Sequence, residues 1–152
     1  MIVIGGYDGS NVLKSSQIVL LDGSAVKEGP ELPEPRSEHC IAHDKENDIF
    51  FVTGGTTDFI AKDTVWKFKG KEKFTLNGTS TMKNSRRFHG CGIFRSKKHN
   101  GRPVLVTAGS FTSGTGTRTC EFYDYTKAKS QWQLCSKSNS VFLVLIITKC
   151  HN

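Results

Sequence analysis

Three short apolar runs punctuate the chain, and each leads into a glycine step. Ile2, Val3 and Ile4 run into Gly5-Gly6, Ile49 to Val52 leads through Thr53 to Gly54-Gly55, and Val104 to Val106 leads through Thr107 to Ala108-Gly109. From Gly5 to Gly54 is 49 residues, and from Gly55 to Gly109 is 54. Downstream of each step, polar and apolar residues alternate: QIVLLD from Gln17, TVWKFK from Thr64 and CEFYDY from Cys120. Alternation with period two predicts a half-buried strand. One further apolar or aromatic residue follows each segment, at Val26, Phe74 and Trp132. Ahead of the second and third runs, PEPRSEHC (from Pro33) and KNSRRFHGC (from Lys83) place Arg36 and Arg86, and His39 and His89, 50 residues apart. Fifteen glycines against four prolines suit many tight turns. The pattern predicts an all-β chain built from a recurring unit of four short antiparallel strands.

Such a unit twists and has an apolar face on each side, which it buries by stacking against its neighbours. With a length of about 50 residues, the diglycine after an apolar strand (Gly5-Gly6, Gly54-Gly55, with only Gly109 kept in the third copy), the aromatic-Asp step Tyr123-Asp124, the weaker Leu21-Asp22 and Trp132, the sequence resembles the kelch-repeat family of β-propellers. The resemblance implies a propeller segment over residues 1–135, with blades at about 1–34, 35–84 and 85–135. A propeller closes with roughly four to eight blades, so three imply part of a larger ring whose open blade faces self-associate. Residues 136–152, with the apolar run Val141 to Ile147, are expected to be a divergent tail rather than the first strand missing from blade one.

Charge is uneven. Of the net +7, the stretch from Lys62 to Arg102 carries twelve Lys or Arg against Asp63 and Glu72, a net +10, which leaves −3 for the remainder. Within it Lys67, Lys69, Lys71 and Lys73 alternate with Trp66, Phe68 and Phe74, so cations and aromatics fall on opposite sides of an outer strand. Nucleic-acid binding needs aromatics exposed beside the charge, and none is expected. The run Val141 to Ile147 is too short to cross a bilayer, and no membrane contact is expected. The five cysteines, at 40, 91, 120, 135 and 150, show no metal spacing and are odd in number. Reduced, mostly buried thiols are therefore expected, and with no leader-like segment at Met1 the expected location is cytoplasmic.

Candidate chemistry is sparse. His39 and His89 carry no recurring carboxylate or cysteine beside them and are expected to pack in the core. SGTGT, from Ser113 to Thr117, lacks the lysine and following helix of a phosphate loop and belongs in the connection between the second and third strands of its unit. Asn77-Gly78-Thr79 is a glycosylation triplet, relevant only to a secreted protein. Some propellers of this resemblance are enzymes, including copper oxidases and sialic-acid mutarotases, but neither a copper-binding set nor a paired-acid constellation is evident. The expectation is a non-enzyme without cofactor or metal.

Functional loops on a rigid scaffold are where binding is expected. The resemblance implies that loops after each diglycine and before each first strand emerge on one face, where partners bind. By motif position these are Tyr7, Asp8 and Asn11; Arg36, Ser37 and Glu38; Thr56 and Asp58; Arg86, Arg87 and Phe88; and Ser110 and Phe111. Arg36 and Arg86 have an alternative, hydrogen bonding between blades. Tyr7, Arg87, Phe88 and Phe111 are the leading contacts. The expected function is a protein-interaction module, and Arg36, Arg86 and Arg87 point to an acidic, turn-forming peptide segment. Many propellers of this resemblance select substrates for cullin-type ubiquitin ligases, a role that depends on a BTB or F-box domain. The competing expectation is a propeller enzyme or a carbohydrate-binding domain.

Overall fold

The computed structural model describes residues 1–19, 25–70, 75–95, 97–112, 115–116 and 118–135. The first strands, β1 (Ile2–Tyr7), β2 (Val12–Val19) and β3 (Val26–Glu28), form a three-stranded antiparallel sheet in chain order. A second sheet orders β4 (Cys40–Asp44), β5 (Ile49–Thr53), β6 (Lys62–Lys69) and β7 (Thr75–Arg86) in the same up-and-down way. The third follows with β8 (Gly90–Arg95) and β9 (Pro103–Ala108). A two-stranded ribbon, β10 (Phe111–Thr112) with β11 (Thr115–Gly116), intervenes before β12 (Cys120–Tyr123) and β13 (Gln133–Leu134) complete it. Among the described residues the one helical element is a 3-10 turn at Lys97–His99. The chain is all-β, as its periodicity predicts.

The central strand β5 shows why the sheets are layered. All five of its residues are buried, yet successive side chains of a strand point to opposite faces. Phe50 and Val52 pack with Trp66 and Phe68 against Ile4 and Leu32 of the preceding unit, with Phe50 and Phe68 stacked at 4.9 Å. Ile49 and Phe51 face the other way, joining Val65 and Met82 to Cys91, Leu105 and Trp132 of the following sheet. The second sheet is therefore covered on both faces. At 1.5–3 kcal/mol for each fully buried large apolar side chain, roughly, these two clusters dominate the stabilisation. Trp132 packs back on this middle layer, whereas its counterpart Val26 is 60% exposed. No described sheet precedes the first for Val26 to pack on.

Two expectations need correction. The lysine-bearing strand is not the outer one: β6 pairs with β5 and β7, and β7 is the edge. Trp66 and Phe68 are nevertheless buried and Lys69 exposed, while Lys71, Lys73 and Phe74 lie outside the described residues. The thiols are also not all reduced. Cys40 and Cys91 form a disulfide between the first strands of the second and third sheets, at a Cα separation of 5.8 Å, and Cys120 is bonded to Cys135 at 5.3 Å. Spacing hid these pairs because tertiary structure, the packing of two sheets for Cys40 and Cys91 and strand pairing for Cys120 and Cys135, and not a local motif, brings the sulfurs together. Cys150, the tail 136–152 and residues 113, 114 and 117 of SGTGT lie outside the described residues.

Candidate functional site

The glycine steps, the arginines and the histidines converge at one end of the sheets. Gly6 N–H donates to the Arg36 carbonyl at 2.8 Å, and Gly55 N–H donates to the Arg86 carbonyl at 2.7 Å. Each arginine carbonyl is thus pinned by the glycine pair that precedes it in the chain. The approach is so close that a Cβ on Gly54 would lie 2.4 Å from the Arg86 carbonyl oxygen, and one on Gly5 would lie 2.4 Å from that of Arg36. Only glycine fits there. Ala108 occupies the corresponding place in the third unit.

The side chains of both arginines then enter the sheet that follows. Arg36 Nη1 donates to the Gly54 carbonyl at 2.7 Å, its Nη2 pairs with Glu34, and its guanidinium lies 4.3 Å from the Trp66 ring centroid. Arg86 donates to the Gly109 and Thr119 carbonyls at 2.7 and 3.0 Å, to Thr119 Oγ1 at 2.9 Å and to Glu121 Oε1 at 2.9 Å. Glu121 also accepts the backbone N–H groups of Lys83 and Asn84 at 2.6 and 3.0 Å. Arg36, Arg86 and Glu121 are fully buried. The two arginines therefore do not offer their forks to a partner, contrary to the partner-binding expectation. They latch one sheet to the next. Ser37, Thr56 and Ser110 are buried too. Ser37 and Thr56 exchange backbone hydrogen bonds at 2.9 and 2.8 Å, and Ser110 Oγ accepts from the Arg87 N–H at 3.1 Å. These three serve the loops' own structure.

His39 and His89 sit half-buried beside the latches. Burial, and then the neighbouring guanidinium of Arg36 or Arg86, pushes each imidazole down from 6.5 to about 4. Both are neutral at pH 7. His89 Nε2 shares a 2.8 Å hydrogen bond with Thr53 Oγ1. Between the second and third sheets, Tyr125 donates to Asp44 Oδ2 at 2.6 Å and lies 4.8 Å from the Phe51 ring. Burial, then this bond, raises the phenol's pKa, whereas at Asp44 hydrogen bonds from Tyr125 and Asn47 outweigh the upward push of burial.

Above the latches lies an exposed rim. Tyr7, Phe88 and Phe111 are 60%, 62% and 50% exposed, as are two residues that the repeat pattern did not single out, Phe59 at 82% and Ile60 at 64%. Phe88 and Phe111 meet edge-on with ring centroids 6.5 Å apart. Arg87 lies 5.8 Å from the Phe88 ring, donates through Nε to the Phe111 carbonyl at 3.1 Å and pairs with Glu38 at 3.3 Å. The backbone is held in the left-handed region at Glu38, Phe59 and Phe88, with φ of 54°, 65° and 49°. A non-glycine residue adopts that region at a cost of about 1–2 kcal/mol, and Phe88 is fixed there by its N–H bond to the Glu38 carbonyl at 3.0 Å. Asp58 pairs with Lys62 at 3.3 Å. Asp8 accepts the N–H groups of Ser10 and Asn11 at 2.8 and 2.7 Å and shapes its own turn. Phe59 and Ile60 were missed because motif position in their loop picked out only the residues nearer the diglycine, Thr56 and Asp58. Glu121 was hidden in the CEFYDY alternation, where it occupies an inward position. No model of a known protein family matches the chain, and no curated protein matches it.

Proposed function

We propose that the chain is a segment of a kelch-type β-propeller, its three sheets being blades, and that it binds a partner protein through the loop rim. The repeated arginine latch between successive sheets supports the propeller reading. The function rests on one observation: five large apolar side chains stand exposed at the same end of the sheets, two of them, Phe59 and Phe88, on left-handed backbone. Exposed apolar residues scattered singly are ordinary, whereas a rim that gathers them marks an interaction surface. Aromatic anchors beside an arginine are the groups that dominate protein interfaces. With Arg36 and Arg86 taken up internally, the rim holds Arg87 as its cation for a partner carboxylate, in place of Glu38. The partner is accordingly an apolar segment with at most one acidic contact here, rather than a strongly acidic peptide. The outer face of the first sheet, with Val3 and Val26 exposed, is the surface through which isolated chains associate.

Peptides selected from a random library against the intact chain test this reading. Phe88→Ala and Phe111→Ala should each weaken the selected peptides about 10- to 100-fold, the loss of 1.4–2.8 kcal/mol expected of interface anchors. Arg87→Ala should weaken only those carrying a carboxylate. Peptides indifferent to every rim substitution would overturn the proposal, and a preference for basic peptides would overturn its account of Arg87.

A further inference from the structure

Two features outside the rim bear on one another. Four of the five cysteines are paired, one bond joining two sheets and the other spanning a sequence separation of 15 residues. Disulfides form and persist in oxidising compartments and are rare in the cytosol. The sequence also holds a single Asn-x-Ser/Thr triplet, Asn77-Gly78-Thr79. That triplet is an acceptor for sugar only on a chain that passes through the secretory route.

The fold places the triplet where a transferase can reach it. It lies on β7, which among the described residues has β6 as its one sheet neighbour and so presents an open edge. Lys67 stands opposite Gly78 and Phe68 opposite Leu76, so Asn77 is the extra residue of a β-bulge. Such a residue is left out of the ladder and bends its strand locally. Asn77, Gly78 and Thr79 are all exposed, and Gly78 has a φ of 153°. Burial does not stand in the way, and neither do paired ladder bonds at Asn77.

We propose that Asn77 carries an N-linked glycan, that the chain matures in an oxidising compartment rather than the cytoplasm, and that the sugar covers the open edge of β7. In the transfer, Asn77 Nδ2 attacks the anomeric carbon of a lipid-linked oligosaccharide pyrophosphate. The carbon–nitrogen bond forms, the carbon–oxygen bond to pyrophosphate breaks, the amide gives up one proton, and the lipid pyrophosphate departs with the electron pair. No redox change accompanies the step. An uncovered edge strand is a template for pairing with another chain, and a bulky, solubilising sugar on its bulge blocks that approach.

The direct test is mass spectrometry of the chain recovered from the cells that produce it. Trypsin releases Phe74 to Lys83, in which Asn77 is the sole asparagine. Digestion with an N-glycosidase in heavy-oxygen water should convert Asn77 to labelled aspartate. Alkylation without reduction should leave Cys40, Cys91, Cys120 and Cys135 unmodified. When the chain is directed through the secretory pathway of cultured animal cells, the native sequence and Thr79→Ser should migrate slowly and shift on glycosidase treatment. Asn77→Gln and Thr79→Ala should migrate at the shifted position. Unlabelled Asn77 or alkylated cysteines in the native chain would overturn the assignment, as would a secreted chain without sugar. Unchanged sedimentation after enzymatic removal of the glycan would overturn the edge-covering role.

Discussion

Gly55→Ala adds one methyl group at the point where the loops of the second sheet cross. Gly55 has φ of 90°, and a Cβ there would meet the Ser37 carbonyl oxygen at 2.4 Å, His39 Cβ at 2.8 Å and Arg36 Cδ at 3.0 Å. None of these atoms can retreat easily. Ser37 is fixed by its two backbone bonds to Thr56, and Arg36 is fully buried. The left-handed conformation costs an alanine about 1–2 kcal/mol, and overpacking of this kind costs a further 1–3 kcal/mol or so. The expected destabilisation is roughly 2–5 kcal/mol, or about 5–15 °C in Tm for a domain of this size. Gly6 holds the equivalent position in the first unit, with φ of 108°, and a Cβ there meets nothing within 4 Å. Gly6→Ala should therefore cost the conformational part alone, about 1–2 kcal/mol. Since both substitutions reduce unfolded-chain entropy similarly, their difference isolates the close approach. Thermal and urea unfolding followed by tryptophan fluorescence reads it through Trp66 and Trp132, both buried. Equal shifts for the two variants would refute the proposed crossing.

Two further outcomes follow from the buried polar groups. His39 and His89 stay neutral in the folded chain down to about pH 4, whereas the unfolded chain takes up their protons below about 6.5. The unfolded state thus binds more protons between these limits. Stability should fall as pH drops from 6.5 towards 4, by up to about 3 kcal/mol per histidine, and the urea midpoint at pH 7, 5.5 and 4.5 measures it. A flat profile would contradict the burial of both rings, and the double variant His39→Gln, His89→Gln should reduce the slope. Glu121→Ala leaves buried Arg86 without its carboxylate and should cost about 3–5 kcal/mol, with part of that loss recovered when Arg86→Met is added. Urea unfolding of the single and double variants reads the coupling, and a loss below about 1 kcal/mol for Glu121→Ala would show that the latch carries little.

The strands were legible because period-two alternation is local. TVWKFK states in six residues which side chains of β6 are buried, and Trp66 and Phe68 are so placed. The glycine steps were equally legible as recurrences, and Gly54 sits where the Arg86 carbonyl leaves no room for a side chain. What remained hidden is what depends on distant acceptors. From sequence, Arg36 and Arg86 read either as partner contacts or as hydrogen bonds between units, and only the assembled acceptors, Gly54 for Arg36 and Gly109, Thr119 and Glu121 for Arg86, decide for the second. The rim was half legible: Tyr7, Phe88 and Phe111 follow from motif position, while Phe59 and Ile60 lie further along their loop than the motif reaches. The cysteines gave no local signal, because Cys40 and Cys91 meet only through the packing of two sheets.

Hydrogen–deuterium exchange of the intact chain with and without a selected peptide tests the rim most directly. Protection confined to the loops holding Tyr7, Phe59-Ile60, Arg87-Phe88 and Phe111, with the sheets unchanged, is the predicted footprint. Protection instead along β7 or on the outer face of the first sheet, with those loops exchanging as before, would contradict the assignment of the rim as the partner-binding surface.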